Sequence, residues 1–141
     1  MATYTGTKAE DGAQPIYLHT GAVVVKSTFT WTATASVGDV VQMIKVPRGA
    51  IIDEIVVFDT GGDHANIGDG VSVARYFASA SALTTRHVLT NIEGVLAGIG
   101  YQYDISDAAA VAYDTLDLSI VVAGSTPADV TTMIATYHCD D

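Results

Sequence analysis

Residues 22–32, AVVVKSTFTWT, alternate with a period of two. Val23, Val25, Phe29 and Trp31 fall on one face of an extended chain, and Val24, Lys26, Thr28, Thr30 and Thr32 fall on the other. Successive side chains of a strand point to opposite faces, so this stretch predicts a strand with one buried and one wet side. The residues that carry the pattern recur along the whole chain: Val, Thr and Ile supply 45 of the 141 residues, whereas Leu occurs six times. β-Branched side chains lose rotamer freedom in helices and fit a pleated surface, which predicts a mostly β protein.

Further strands follow from the same reading. Val40 to Val46 reads as a strand that Pro47-Arg48-Gly49 ends, because proline cannot donate to a ladder. Ile51 to Asp59 is apolar on both faces and predicts a central or doubly covered strand. Val71 to Phe77 reads as a short strand, and GYQYDIS at 100–106 sets Tyr101, Tyr103 and Ile105 on one face. TLDLSIVVA points Leu116, Leu118, Ile120 and Val122 inward, and after GSTPAD the run from Val130 to His138 alternates again; these two read as an antiparallel pair. Residues 79–99 lack a clean period and predict a long connection with a short helical turn. Residues 1–20 are polar and predict an extended arm, with Tyr4, Ile16, Tyr17 and Leu18 as its anchors on a neighbouring subunit or partner. The expectation is therefore an all-β, jelly-roll-like antiparallel β-sandwich over 21–141 with an N-terminal arm over 1–20.

Charge and length narrow the function. A 141-residue chain fits one domain. Sixteen Asp and Glu against six Lys and Arg give a formal charge of −10, which repels phosphate backbones and predicts no direct nucleic-acid binding. No apolar run approaches the ~20 residues that span a bilayer, so no membrane partner is expected. The first fifteen residues lack a basic segment followed by an apolar one, which predicts no export signal and synthesis in a cytoplasm. The lone Cys139 excludes an intramolecular disulfide.

GGDHANIGDG, residues 61–70, packs four glycines and two aspartates. No Lys and no helix follow to make a phosphate loop, and Asp59, Asp63, Asn66 and Asp69 miss calcium-loop spacing, which leaves only an irregular ion site over 59–70. Turn-forming Asp and Gly between strands is the plainer reading. His19, His64, His87 and His138 have no i, i+2 or i, i+4 partner for zinc. No serine sits in a G-x-S-x-G elbow, and Asp104, Asp107, Asp114 and Asp117 read as turn and strand-flank acids rather than a glycosidase pair. No enzyme, cofactor or metal is expected.

The order of KVPRGA, an acid-bearing strand, IGDG leading into a short strand with aromatics, GYQYDIS and a last strand after the GST turn resembles that of small structural proteins of tailed bacteriophages. The similarity covers most of residues 20–138, and the terminal HCDD departs from it. The resemblance implies a capsid decoration or cement protein: a β-sandwich on the outer surface of the virion, bound to the major capsid protein, often as a trimer, with no active-site residues. The mean hydropathy of +0.33 agrees with apolar area buried between subunits and predicts a homo-oligomer, for which the resemblance implies a homotrimer. The alternative is a carbohydrate- or receptor-binding module of a phage tail or fibre, in which Trp31 or the tyrosines form an exposed platform.

Overall fold

Among the described residues nine strands follow one another: β1 (Thr3–Lys8), β2 (Val23–Thr30), β3 (Val40–Pro47), β4 (Ala50–Asp59), β5 (His64–Asp69), β6 (Arg75–Ala80), β7 (His87–Thr90), β8 (Tyr113–Val122) and β9 (Val130–Cys139). The structure is a computed structural model and describes residues 3–9, 22–47, 50–69, 75–80, 83, 86–90 and 113–139. Strands β2 to β9 behave as one long hairpin rolled onto itself. β5 pairs with β6, β4 with β7, β3 with β8 and β2 with β9, all antiparallel. Rolling then joins β4 to β9 and β5 to β8, giving two sheets ordered β2-β9-β4-β7 and β1-β3-β8-β5-β6. This is a jelly roll, the all-β sandwich that the alternation pattern predicts.

The core lies between the sheets. β2 contributes the face expected of it: Val23, Val25 and Trp31 are buried and Phe29 packs against them, while Val24 is 65% exposed. Two bulges correct the simple alternation. On β4 a register shift between Ile52 and Glu54 brings Ile52 into the same cluster as Ile55 and Val57. On β3 a shift between Gln42 and Ile44 lets Val41 and Met43 share the core with Ile44 and Val46. One extra residue reverses the facing of all that follows, so each strand switches parity midway and still buries both halves. Val56 is buried as well, so β4 is apolar on both faces, as expected of a strand between two others.

Several expectations are corrected. The strands around Leu118 and Ile134 do not pair with each other: β8 lies between β3 and β5, and β9 lies between β2 and β4, in the opposite sheet. The connection at 123–129 is held by the neighbouring β2–β3 loop, through Ala35 N–H to Ser125 O at 3.0 Å and Trp31 N–H to Asp129 O at 2.8 Å, and so crosses between sheets instead of turning within one. Val122, expected inward, is 48% exposed. Val122 pairs with His64 and Ile120 with Ala65, which leaves Val121 as the bulged residue that turns the strand end outward.

Part of the 61–70 loop is itself strand β5, and the strand expected at 71–77 is described as β6 from Arg75 onward. Within the connection expected over 79–99, His87–Thr90 forms β7 on the edge of β4 rather than a helical turn; pairing with β4 supplies the hydrogen bonds that its helical spacing cannot. Residues 100–106 lie outside the described residues.

Residues 3–8 of the predicted arm form β1, which runs parallel to β3 on the sheet edge. Its anchor is aromatic: the Tyr4 ring sits 5.2 Å from Phe29 and 5.1 Å from Trp31, centroid to centroid, with Phe29 and Trp31 themselves edge-on at 4.9 Å. Ile16, Tyr17 and Leu18 lie outside the described residues.

Candidate functional site

Two features of the surface concern function: the closed end where three loops meet, and the apolar residues left outside. At the closed end, β4 delivers Asp59, the β4–β5 turn delivers Asp63, and the β8–β9 loop delivers Ser125 and Asp129. Asp59, Asp63, Ser125 and Thr131 are all 3% exposed or less. Buried polar groups must find partners, and here they find one another. Asp59 Oδ1 accepts from Gly61 N–H at 2.5 Å and from the Ser125 hydroxyl at 2.9 Å, and its Oδ2 accepts from the Thr131 hydroxyl. Asp63 Oδ1 accepts from the Gly124 and Ser125 amides at 2.5 and 2.8 Å, and its Oδ2 lies 2.5 Å from Ser125 Oγ. Trp31 Nε1–H donates to Thr131 Oγ1 at 2.9 Å, which ties β2 into the same group.

Backbone contacts tighten the junction. Gly61 and Gly124 touch almost directly: a Cβ on Gly124 would stand 2.4 Å from Gly61 O, and one on Gly61 would stand 2.6 Å from Ser125 Cα. Gly62 takes a positive φ of 81°, the turn role that glycine fills at least cost. Asp129 Oδ2 caps Thr126 N–H at 2.6 Å, and the amide of Val130 donates to Thr60 Oγ1 at 2.8 Å. Burial pushes the Asp59 carboxyl above its ordinary value of 3.8, against hydrogen bonds from Thr131, Gly61 and Ser125, and the neighbouring charge of Asp63 pushes the same way as burial.

This arrangement is a structural clamp, not an ion cage. Both oxygens of Asp59 and Oδ1 of Asp63 accept from protein donors, and Asp63 Oδ2 stands against the Ser125 hydroxyl that Asp59 also contacts. Asn66 and Asp69 sit on β5, about 10 and 20 Å along the strand from Asp63 at ~3.3 Å per residue, and so do not join Asp59 and Asp63 at one point. Among the described residues no group of three or more His, Cys, Asp or Glu is placed to hold a metal. The other candidates are dispersed. His138 Nδ1 lies 2.9 Å from Asp53 Oδ2, His64 begins β5 and His87 begins β7. Asp117 is buried on β8 in register with Gln42 and Gly68, Asp114 stands opposite Val46, and Asp104, Asp107 and His19 lie outside the described residues.

Outside the core, Val24, Val37, Val88, Val121 and Val122 are 46–67% exposed. Gly38 N–H donates to Ile120 O at 2.9 Å, which brings the loop after Val37 beside the end of β8. Trp31, the ring that a sugar platform would present, is 1% exposed. Sequence reasoning placed Asp59 at a strand end and Asp63 in the glycine-rich loop and missed their meeting with Ser125, because the partners are more than 60 residues apart in the chain.

The sequence matches no known protein-family model and no curated protein. The fold does have counterparts. It is similar to a chain in the solved capsid of Ralstonia phage GP4, with a TM-score of 0.66 at 14% identity, over 99% of each chain. It is also similar to a chain in the acidic stable capsid structure of Helicobacter pylori bacteriophage KHP30, with a TM-score of 0.54 at 10% identity, over 88% of this chain and 92% of that one. At these identities the likeness is one of fold.

Proposed function

We propose that the protein is a structural component of a tailed-phage virion that decorates the outer surface of the head, binding the major capsid protein lattice as a homotrimer after synthesis in the host cytoplasm. The observation that carries this reading is the jelly-roll likeness, end to end, to a chain in a phage capsid. Two properties of the chain support it. Half-exposed valines on several strands and loops offer apolar area for subunit or capsid contacts. The formal charge of −10 suits an outward surface that keeps particles apart and does not bind the packaged nucleic acid.

In this reading the protein acts by burial, not chemistry: many copies, each adding a modest interface, raise the free energy needed to open the shell. Tyr4, Ile16, Tyr17 and Leu18 remain the proposed contact residues of the N-terminal segment, with Tyr4 also fixing that segment on its own sandwich. The test is to mix purified protein with phage heads stripped of their outer layer and image them. Density at regular lattice positions, three copies to a site, is the expected result; bare heads overturn the reading.

A further inference from the structure

Ser125 Oγ stands 2.9 Å from Asp59 Oδ1 and 2.5 Å from Asp63 Oδ2, yet a hydroxyl carries a single proton. It donates to one carboxylate; the other contact is a hydrogen bond only if a second proton lies between the oxygens. Among the described residues the remaining donors do not supply it, for Gly61 and Thr131 serve Asp59, while the Gly124 and Ser125 amides serve the far oxygen of Asp63. We propose that Asp59 and Asp63 together bind one proton in the folded protein, shared through the Ser125 hydroxyl. Its release as pH rises loosens the clamp between the β4–β5 turn and the β8–β9 loop.

The surroundings favour retention of the proton. Ser125 and Asp63 are 0% exposed and Asp59 is 3% exposed, so a second negative charge would sit in a dry, closely packed junction. Among the described residues the charged and titratable groups on the elements around it do not offset that charge. The β8–β9 loop brings Asp129, engaged with Thr60 and Thr126, and the β2–β3 loop brings Asp39, engaged with Ser36. His64 follows Asp63 on β5. On the β7 side, Arg86 is exposed and His87 pairs with Val57, two residues before Asp59. The direction of the Asp59 shift agrees, since burial is its largest cause.

The linkage follows. A carboxyl that holds its proton more tightly when folded contributes its full stability below its unfolded value near 3.8 and loses it as pH rises through the higher folded value. The protein carries a reporter, because Trp31 is its single tryptophan and reaches Asp59 through Thr131.

Asp63→Asn tests the pairing. Its amide can donate to Ser125 Oγ while its carbonyl still accepts from the Gly124 and Ser125 amides, so it supplies the shared proton permanently. Thermal melts of wild type and Asp63→Asn across pH 4–8 should diverge: the wild-type midpoint falls relative to the variant as pH rises. The divergence is roughly 4 °C for each tenfold by which folding strengthens the pair's hold on its proton. Trp31 emission should shift with pH in the wild type alone. Parallel profiles overturn the proposal. Should the variant not fold, carbon-13 titration of aspartate carboxyls in the wild-type protein decides: one buried carboxyl titrating well above the rest supports the shared proton, and all titrating near 3.8 refutes it.

Discussion

Replacing Tyr4 by alanine removes the ring that holds β1 against the body of the sandwich. The ring packs on two partners, Phe29 at 5.2 Å and Trp31 at 5.1 Å, in tilted and edge-on geometries that the aromatic quadrupole favours. Each such pair contributes about 0.5–1.5 kcal/mol beyond burial. Tyr4 is only half buried, so its transfer contribution is about 1 kcal/mol, the low end for an aromatic side chain. The expected loss is about 2–4 kcal/mol, which at this chain length lowers the melting temperature by roughly 6–12 °C. Circular dichroism and Trp31 fluorescence should report the same transition, with Trp31 emission shifting to longer wavelength because one side of its ring is uncovered. Tyr4→Phe keeps the rings and should stay within about 0.5 kcal/mol of wild type. Melts at two protein concentrations separate this from a change in assembly. If Tyr4→Ala leaves both the midpoint and the emission unchanged, residues 3–8 are not docked as β1, and the segment is the loose arm that its polar composition suggests.

The remaining predictions concern the same region of the fold. Gly124→Ala would place a Cβ 2.4 Å from Gly61 O and 3.0 Å from Gly62 C, both backbone atoms that cannot swing aside; a loss of about 1–3 kcal/mol is expected in urea unfolding. Trp31→Phe removes the indole N–H that donates to Thr131 Oγ1 at 2.9 Å and leaves a smaller ring in a fully closed site, and should cost about 1–3 kcal/mol by the same measurement.

How much of this was legible in the sequence depends on the range of the interaction. Alternation along 23–31 fixed which face of β2 is buried, because a strand's side chains point by parity whatever it pairs with. The apolar character of both faces of 51–59 placed β4 inside a sheet, and the excess of β-branched residues over leucine set the all-β class. The loop 61–70 was legible in part: glycine turns were expected and Gly62 takes one, but residues 64–69 carry a strand that their Gly, Asn and Asp content conceals.

What the sequence did not contain was the identity of neighbours. Two adjacent alternating runs joined by GSTPAD read as a hairpin, yet β8 and β9 went to opposite sheets, since rolling gives each of them two better-matched partners and the connection is fastened to the β2–β3 loop instead. Bulges in β3, β4 and β8 reversed side-chain facing at Ile44, Ile55 and Val122, and a bulge is defined only by the partner strand's register. The same holds at the closed end. Asp59 and Asp63 are ordinary turn acids when read locally, and they become a buried pair only when Ser125 arrives from more than 60 residues away to stand between them. Local stereochemistry and hydrophobic period are written in the sequence; the pairing of distant segments, and with it the burial that gives those two carboxylates their chemistry, was decided by the tertiary fold.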